Sequence, residues 1–238
     1  MLKRRETNDT ATRAAEPTTR RKRNLPAEER RREVLEAALD LFSEKGMAIT
    51  IQALADRVSV TQPLVHRYFR TRADLIAGIR EKIQFAHWDP RWREVLKDRS
   101  RPLEERIPDF YERYLPHIYS ARWYRGFWYA ALADPGFAQE FLARVHDELL
   151  LSIIGEARFS FGFPDLECVP AAPREIELVW GMHSTHVFIG IRRYVYRTAV
   201  SPDQRTTVLD QMRAYLHVVP EVMAELMPSA KPRALSEG

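Results

Sequence analysis

Residues 33–76 read EVLEAALDLFSEKGMAITIQALADRVSVTQPLVHRYFRTRADLI, and the punctuation of this stretch decides the fold. Val34, Leu35, Ala38, Leu41 and Phe42 recur at helical spacing, and Gly46 is placed to close the helix they define. Upstream, Pro26 suits a first helical position, and Glu28 and Glu29 then lie at the positive end of the helix dipole. Thr50 is placed to cap a short helix over 51–58, and Thr61 to cap another over 62–69. Only Ser59 and Val60 separate these two helices, so the turn is tight. Thr71 and Asp74 have the spacing of a capping box and head a fourth helix over 72–86. Helices this short, with a tight turn between the middle pair, specify a helix-turn-helix.

Working outward, the rest of the chain reads as long helices. One face carries Ile107, Phe110, Tyr111, Tyr114, Leu115 and Ile118; another carries Phe141, Val145, Leu149 and Ile153. Ile176, Trp180, His183, Val187, Ile191 and Tyr194 form a third stripe, and Val208, Met212, Tyr215, Val219 and Val222 a fourth. Ser201-Pro202-Asp203-Gln204 reads as a cap, a first-position proline and a capping-box Gln. Pro-rich stretches at 163–173 and 228–232 read as a loop and a tail, and no alternating strand pattern is present. The expected fold is all-α: an N-terminal three-helix helix-turn-helix domain and a C-terminal helical ligand-binding and dimerisation domain. The expected division is a disordered basic arm over 1–24, the helix-turn-helix domain over 25–71, the helical body over 72–228 and a tail over 229–238.

Charge is unevenly placed. The 238 residues carry a net +4, yet residues 1–32 hold 11 Lys/Arg against 5 Asp/Glu, so the positive field sits at one end. A basic arm beside a folded domain suits a polyanion. With 45% hydrophobic residues the chain can build a core without disulfides, and its one cysteine, Cys168, rules out a disulfide framework. A reducing cytoplasm is the expected location. No apolar run approaches the roughly 18 residues of a membrane span, so no membrane partner is expected.

A recognition helix must enter the major groove and present short side chains at its N-terminal end. Gln62 suits adenine N6 and N7, and Pro63 and Leu64 offer apolar contact to a thymine methyl. His66, Tyr68 and Arg72 can donate to phosphates, and Thr50, at a helix N-terminus, can offer its hydroxyl and backbone N–H groups. Val65 and Phe69 read as core. The stretch resembles the DNA-binding domain of the tetracycline-repressor (TetR) family. The resemblance rests on Ala37-Ala38, Leu41-Phe42, Lys45-Gly46, Thr50-Ile51, Leu54-Ala55, Val58, Val60-Thr61-Gln62, Arg67-Tyr68-Phe69 and Asp74-Leu75. It implies DNA contact by Thr50, Gln62, Pro63, Leu64, His66, Tyr68 and Arg72. It also implies a homodimer through residues 175–226, in which helices over 175–197 and 202–226 pair with their twins. The chain departs from the family in having Ser59 where Gly is usual in the turn, His66 where Tyr is common, and Leu64 where a small or polar residue is common. The operator sequence therefore cannot be borrowed from a relative.

A nucleic-acid module joined to a larger apolar body implies a sensor of a small molecule. The aromatic run from Trp123 to Trp128 could line a pocket, and Trp128, Trp180 and His183 are the expected ligand contacts. His183 and His186 lack a clear third ligand nearby in sequence, so no metal and no cofactor is expected. Gly190 would fit close helix approach at a dimer contact, and Pro220 should kink or end the last helix. The reading is a transcriptional regulator, a repressor of double-stranded operator DNA tuned by a small-molecule effector. The alternatives are an α-helical enzyme and a ligand-free architectural DNA binder. Against the enzyme, the sequence shows no nucleophile elbow, phosphate loop or metal-ligand set.

Overall fold

A computed structural model describes residues 26–85, 89 and 91–228, so the basic arm and the tail of the sequence reading lie outside the described residues. The first four helices are α1 (Ala27–Lys45), α2 (Ile51–Arg57), α3 (Gln62–Tyr68) and α4 (Arg72–Phe85). The body continues with α5 (Arg91–Lys97), α6 (Leu103–Ile118), α7 (Ala121–Ala133), α8 (Pro135–Arg144) and α9 (Leu151–Phe161). It closes with α10 (Pro173–Gly190) and α11 (Gln204–Leu226). A π-helical turn over Val145–Leu150 joins α8 to α9, and another over Ile191–Val195 extends α10. Among the described residues there is no strand. The fold is all-α, with an N-terminal helix-turn-helix and a helical body.

Local chemistry explains most boundaries. Pro26 caps α1 from outside, so the helix begins one residue later than a first-position proline would put it. Thr50 Oγ1 accepts from the Ala53 amide at 3.1 Å. Thr61 precedes α3 without a side-chain cap bond. Thr71 and Asp74 form the reciprocal capping box, each side chain accepting from the other's amide at 3.0 Å. Asp203, rather than Ser201, caps α11 by accepting from the Thr206 amide at 2.9 Å. The turn does require a left-handed residue: Ser59 adopts φ 55°, where glycine would be unstrained.

The four apolar stripes point into one continuous core that runs from Val34 and Phe42 to Val219 and Met223. One sequence expectation is narrowed here and one is corrected. Pro220 does not end α11, which continues to Leu226; Val219, Val222 and Met223 are buried on either side of the proline and hold the helix against the core. Gly190 is required within the chain. A Cβ there would sit 1.9 Å from Cζ of Tyr124, so its smallness lets α10 approach α7.

The interior also holds paired charges. Arg158 and Glu175, both buried, bond through Nε–Oε1 at 2.8 Å and Nη2–Oε2 at 2.6 Å. Arg158 Nη1 donates to the Val169 carbonyl at 2.5 Å, which ties the Pro-rich loop to α9 and α10. Arg106 and Arg99 share Glu156 in the same way, at 2.7 and 3.0 Å.

Candidate DNA interface and ligand cavity

Helix α3 carries most of the residues that the sequence reading assigns to DNA. Gln62 and Pro63 open the helix and are exposed; Val65 and Phe69 are buried and fix its underside to the core. Leu64 is half-buried and is not among the side chains packed against the core, so its apolar surface is available to a partner. Tyr68 is half-buried and packs on the core with its ring, while His66 is exposed. Nδ1 of His66 donates to the Arg70 carbonyl at 3.3 Å, which points Nε2 outward.

Two residues stand differently from the sequence reading. Arg72 donates through Nε to the Ile49 carbonyl at 3.3 Å and through Nη2 to the Met47 carbonyl, tying the start of α4 to the connector before α2. Gln52, on α2, escaped the sequence reading. It accepts from Gln62 Nε2 and donates its own Nε2 to Asp56 Oδ1 at 2.6 Å. Nothing in helical spacing signals this pairing, because it crosses the turn.

In the body, Trp128, Trp180 and His183 line one cavity of about 450 Å³. Tyr114, Trp123, Tyr124, Phe127 and Phe141 add further aromatic wall. The rings brace each other: Trp123 stacks on Phe127 at 5.2 Å, and Phe127 meets Phe141 at 4.8 Å. His183 Nδ1 lies 2.9 Å from the Tyr111 hydroxyl. Burial pushes the His183 pKa down to about 4 and that of neighbouring His186 to about 3, the latter helped by His183, so both rings are neutral at neutral pH. Glu177 and Ser184 supply further polar lining. Among the described residues no three His, Cys, Asp or Glu side chains converge as a metal site would need.

Helix α7 touches both the cavity and α1. Trp123, Tyr124, Phe127 and Trp128 face the cavity. The same helix grips α1: Arg122 donates to the Glu36 side chain and carbonyl and lies 2.9 Å from Asp40 Oδ1. Tyr129 meets Phe42 edge-on at 6.1 Å and covers Gly46, where a Cβ would clash with its ring at 2.8 Å. Lys82 on α4 pairs with the same Glu36 at 2.6 Å. Partial burial works to raise the Glu36 pKa, but the hydrogen bonds and charges of Lys82 and Arg122 outweigh it and hold the carboxyl below its ordinary value.

Residues 34–79 match the family described as bacterial regulatory proteins, tetR family. The matched residues run from α1 into α4 and include the helix-turn-helix. Most of the chain is similar in fold to solved tetR-family regulators. One from Streptomyces coelicolor is 17% identical, with a TM-score of 0.59 over 86% of this chain and 87% of that one. One from Pseudomonas syringae pv. tomato str. DC3000 is 16% identical, with a TM-score of 0.59 over 80% and 96%. A putative regulator from Mesorhizobium loti MAFF303099 is 9% identical, with a TM-score of 0.53 over 84% and 98%. At these identities the likeness carries the tetR-type fold through the body and nothing finer. No curated protein matches the chain. No helix among the described residues is long and apolar enough to cross a membrane.

Proposed function

We propose that this protein is a homodimeric transcriptional repressor that leaves its operator when a small molecule fills the cavity of the body. It acts by binding, not by catalysis. The observation that carries the reading is the double duty of α7, which walls the cavity with one set of side chains and grips α1 of the tetR-family domain with another. A ligand that moves α7 must move α1 or strain the Arg122 contacts. Helix α4 is the covalent bridge, and it is held to the same Glu36 through Lys82.

Gln62 and Leu64 read bases in this proposal, while Thr50, His66 and Tyr68 position the domain on phosphates. Pro63 joins Leu64 in apolar contact, and Arg72 sets the start of α4 while staying at the rim of the phosphates. Dimerisation uses the outer faces of α10 and α11, within residues 175–226. Support comes from Phe188, 54% exposed, and Val218, 39% exposed, large apolar side chains on those faces. The test is footprinting on DNA selected from genomic fragments. The expected result is protection of a near-palindrome whose half-sites lie roughly 34–36 Å apart, or slightly more, with protection lost on adding a cavity ligand. Protection of a single unpaired half-site would refute the dimer, and ligand binding without release would refute the switch.

A further inference from the structure

We infer that the cavity of the body selects an organic cation with an apolar, aromatic-sized substituent shell, such as a quaternary ammonium or phosphonium, over neutral and anionic molecules of the same shape. The inference rests on the reading of this cavity as an effector site and names the chemical class of the effector.

Three observations lead to it. The wall is built of the rings of Trp123, Tyr124, Phe127, Trp128, Phe141 and Trp180, each braced by stacked, tilted or edge-on contact with a neighbouring ring. Aromatic faces carry negative potential and attract a cation within about 6 Å of the ring centre, most strongly when water is excluded. Second, Glu177 is the single charged residue among those described on the lining, and it is a carboxylate. It is an exposed side chain on the cavity lining and takes part in no ion pair among the described residues, so its charge is available to a cation entering the cavity. Third, nothing on the wall welcomes an anion. No lysine or arginine lines the cavity, and the one histidine is held neutral by burial. A carboxylate, phosphate or sulfonate entering here would lose its hydration and gain no counter-charge. The volume of about 450 Å³ suits a ligand with several apolar substituents around its charge.

The test uses the full chain and three phenyl compounds: tetraphenylphosphonium and tetraphenylborate, matched in shape and opposite in charge, and the smaller, neutral triphenylphosphine oxide. Trp123, Trp128 and Trp180 line the cavity, so intrinsic fluorescence reports occupancy directly. The phosphonium should bind roughly tenfold or more tightly than the neutral oxide, and the borate most weakly. Glu177→Gln should weaken the phosphonium roughly threefold or more and leave the oxide unchanged. Equal affinity for all three, tighter binding of the borate or oxide, an unchanged ratio in Glu177→Gln, or binding of none of them overturns the assignment. Operator binding measured in the same samples separates this from the sensor reading. Phosphonium binding without operator release leaves the cation class standing and removes the sensor role; release by the neutral oxide in preference does the reverse.

Discussion

Gln62 donates its Nε2 to Oε1 of Gln52, and Gln52 donates its own Nε2 to Asp56 Oδ1 at 2.6 Å. The order of this relay is forced, because a carboxylate can only accept. Asp56 turns the Gln52 amide so that its oxygen faces Gln62, and Gln62 must then present nitrogen inward. One N–H and the carbonyl oxygen of Gln62 remain for the groove, which is the pair that adenine N7 and N6 require. Gln62→Ala should cost about 1–3 kcal/mol at one base pair and relax the preference there. Asp56→Ala should blur the same preference while leaving overall affinity nearly intact, since it removes only the orientation. Competition binding across operators changed one base pair at a time measures both. Equal weakening of operator and scrambled DNA by Gln62→Ala would show that Gln62 reads no base.

Arg72 behaves differently from a free phosphate contact. If it only neutralised a phosphate, Arg72→Ala would lower the salt slope of binding by about one unit and leave stability alone. Its bonds to the Ile49 and Met47 carbonyls hold the start of α4 against the connector to α2. Arg72→Ala should therefore lower the melting temperature as well as the affinity, and change the salt slope by less than a full unit. A melting temperature equal to that of the parent protein, with a slope reduced by one, would restore the pure phosphate role.

What the sequence made legible follows from what is local. Helix spacing, the Thr71–Asp74 box and the two-residue turn each depend on residues within one helical turn, and all were readable. The cavity-facing positions of Trp180 and His183 could be guessed from a stripe, and those of Phe127 and Trp128 from the aromatic run, but Glu177 and Phe141 could not be joined to them without knowing how α7, α8 and α10 pack. Gly190 shows the limit best. Its mid-helix cost signalled a close contact, and only the fold reveals that the neighbour is Tyr124 of the same chain. Pro220 was half legible: a helical proline signals a kink or an end, and the burial of Val219, Val222 and Met223 that lets α11 run on to Leu226 is not readable locally.

The Gly190–Tyr124 contact makes a direct stability prediction. A methyl group at position 190 would overlap the Tyr124 ring, with atoms at 1.9–2.4 Å. Overpacking of this kind costs about 1–3 kcal/mol or more. Gly190→Ala should lower the melting temperature, although alanine is the better helix former. Tyr124→Ala alone should also destabilise, by opening a cavity. The double variant should be more stable than the sum of the two losses, because the small residue opposes the small residue. Strict additivity would mean the two positions do not touch.

The two buried histidines predict acid sensitivity in a particular window. In the unfolded chain both titrate near 6.5; in the fold His183 is pushed down to about 4 and His186 to about 3. Below pH 6.5 the unfolded chain therefore binds more protons, and stability falls as pH drops from 6.5 toward 4, while above 6.5 it is fully present. The expected loss by pH 4 is about 3 kcal/mol per histidine, since each pH unit below 6.5 is worth about 1.4 kcal/mol per histidine. Glu156 and Glu36 have pKa values below their ordinary 4.5, so their losses come only at lower pH and do not mask the window. His186→Phe should flatten the fall between pH 6.5 and 5, since both ring nitrogens of His186 lack a hydrogen-bond partner and removing them breaks no bond. Thermal melts of both proteins over that range decide the matter, and parallel curves would count against the buried-histidine account.

The coupling between cavity and operator should run through Arg122. This side chain leaves α7, the cavity wall, and holds Glu36 and Asp40 on α1, the first helix of the DNA-binding domain. If the two ends of the protein are linked by about 1–3 kcal/mol, a ligand weakens operator binding by roughly 5–150-fold, and operator must weaken the ligand by the same factor. That factor is measurable with the phosphonium probe, by comparing its affinity in the free protein and in the saturated operator complex. Arg122→Ala removes the grip without touching the cavity lining, so probe affinity in the absence of DNA should be unchanged. Operator affinity can shift, because α1 is held less firmly, but the shift cancels in the comparison. What should shrink is the factor itself, toward one. A factor that stays at its parent value in Arg122→Ala would move the link to α4 and its Lys82–Glu36 pair. A factor of one in the parent protein, with the probe bound, would mean that the cavity and the DNA-binding domain do not communicate for that ligand.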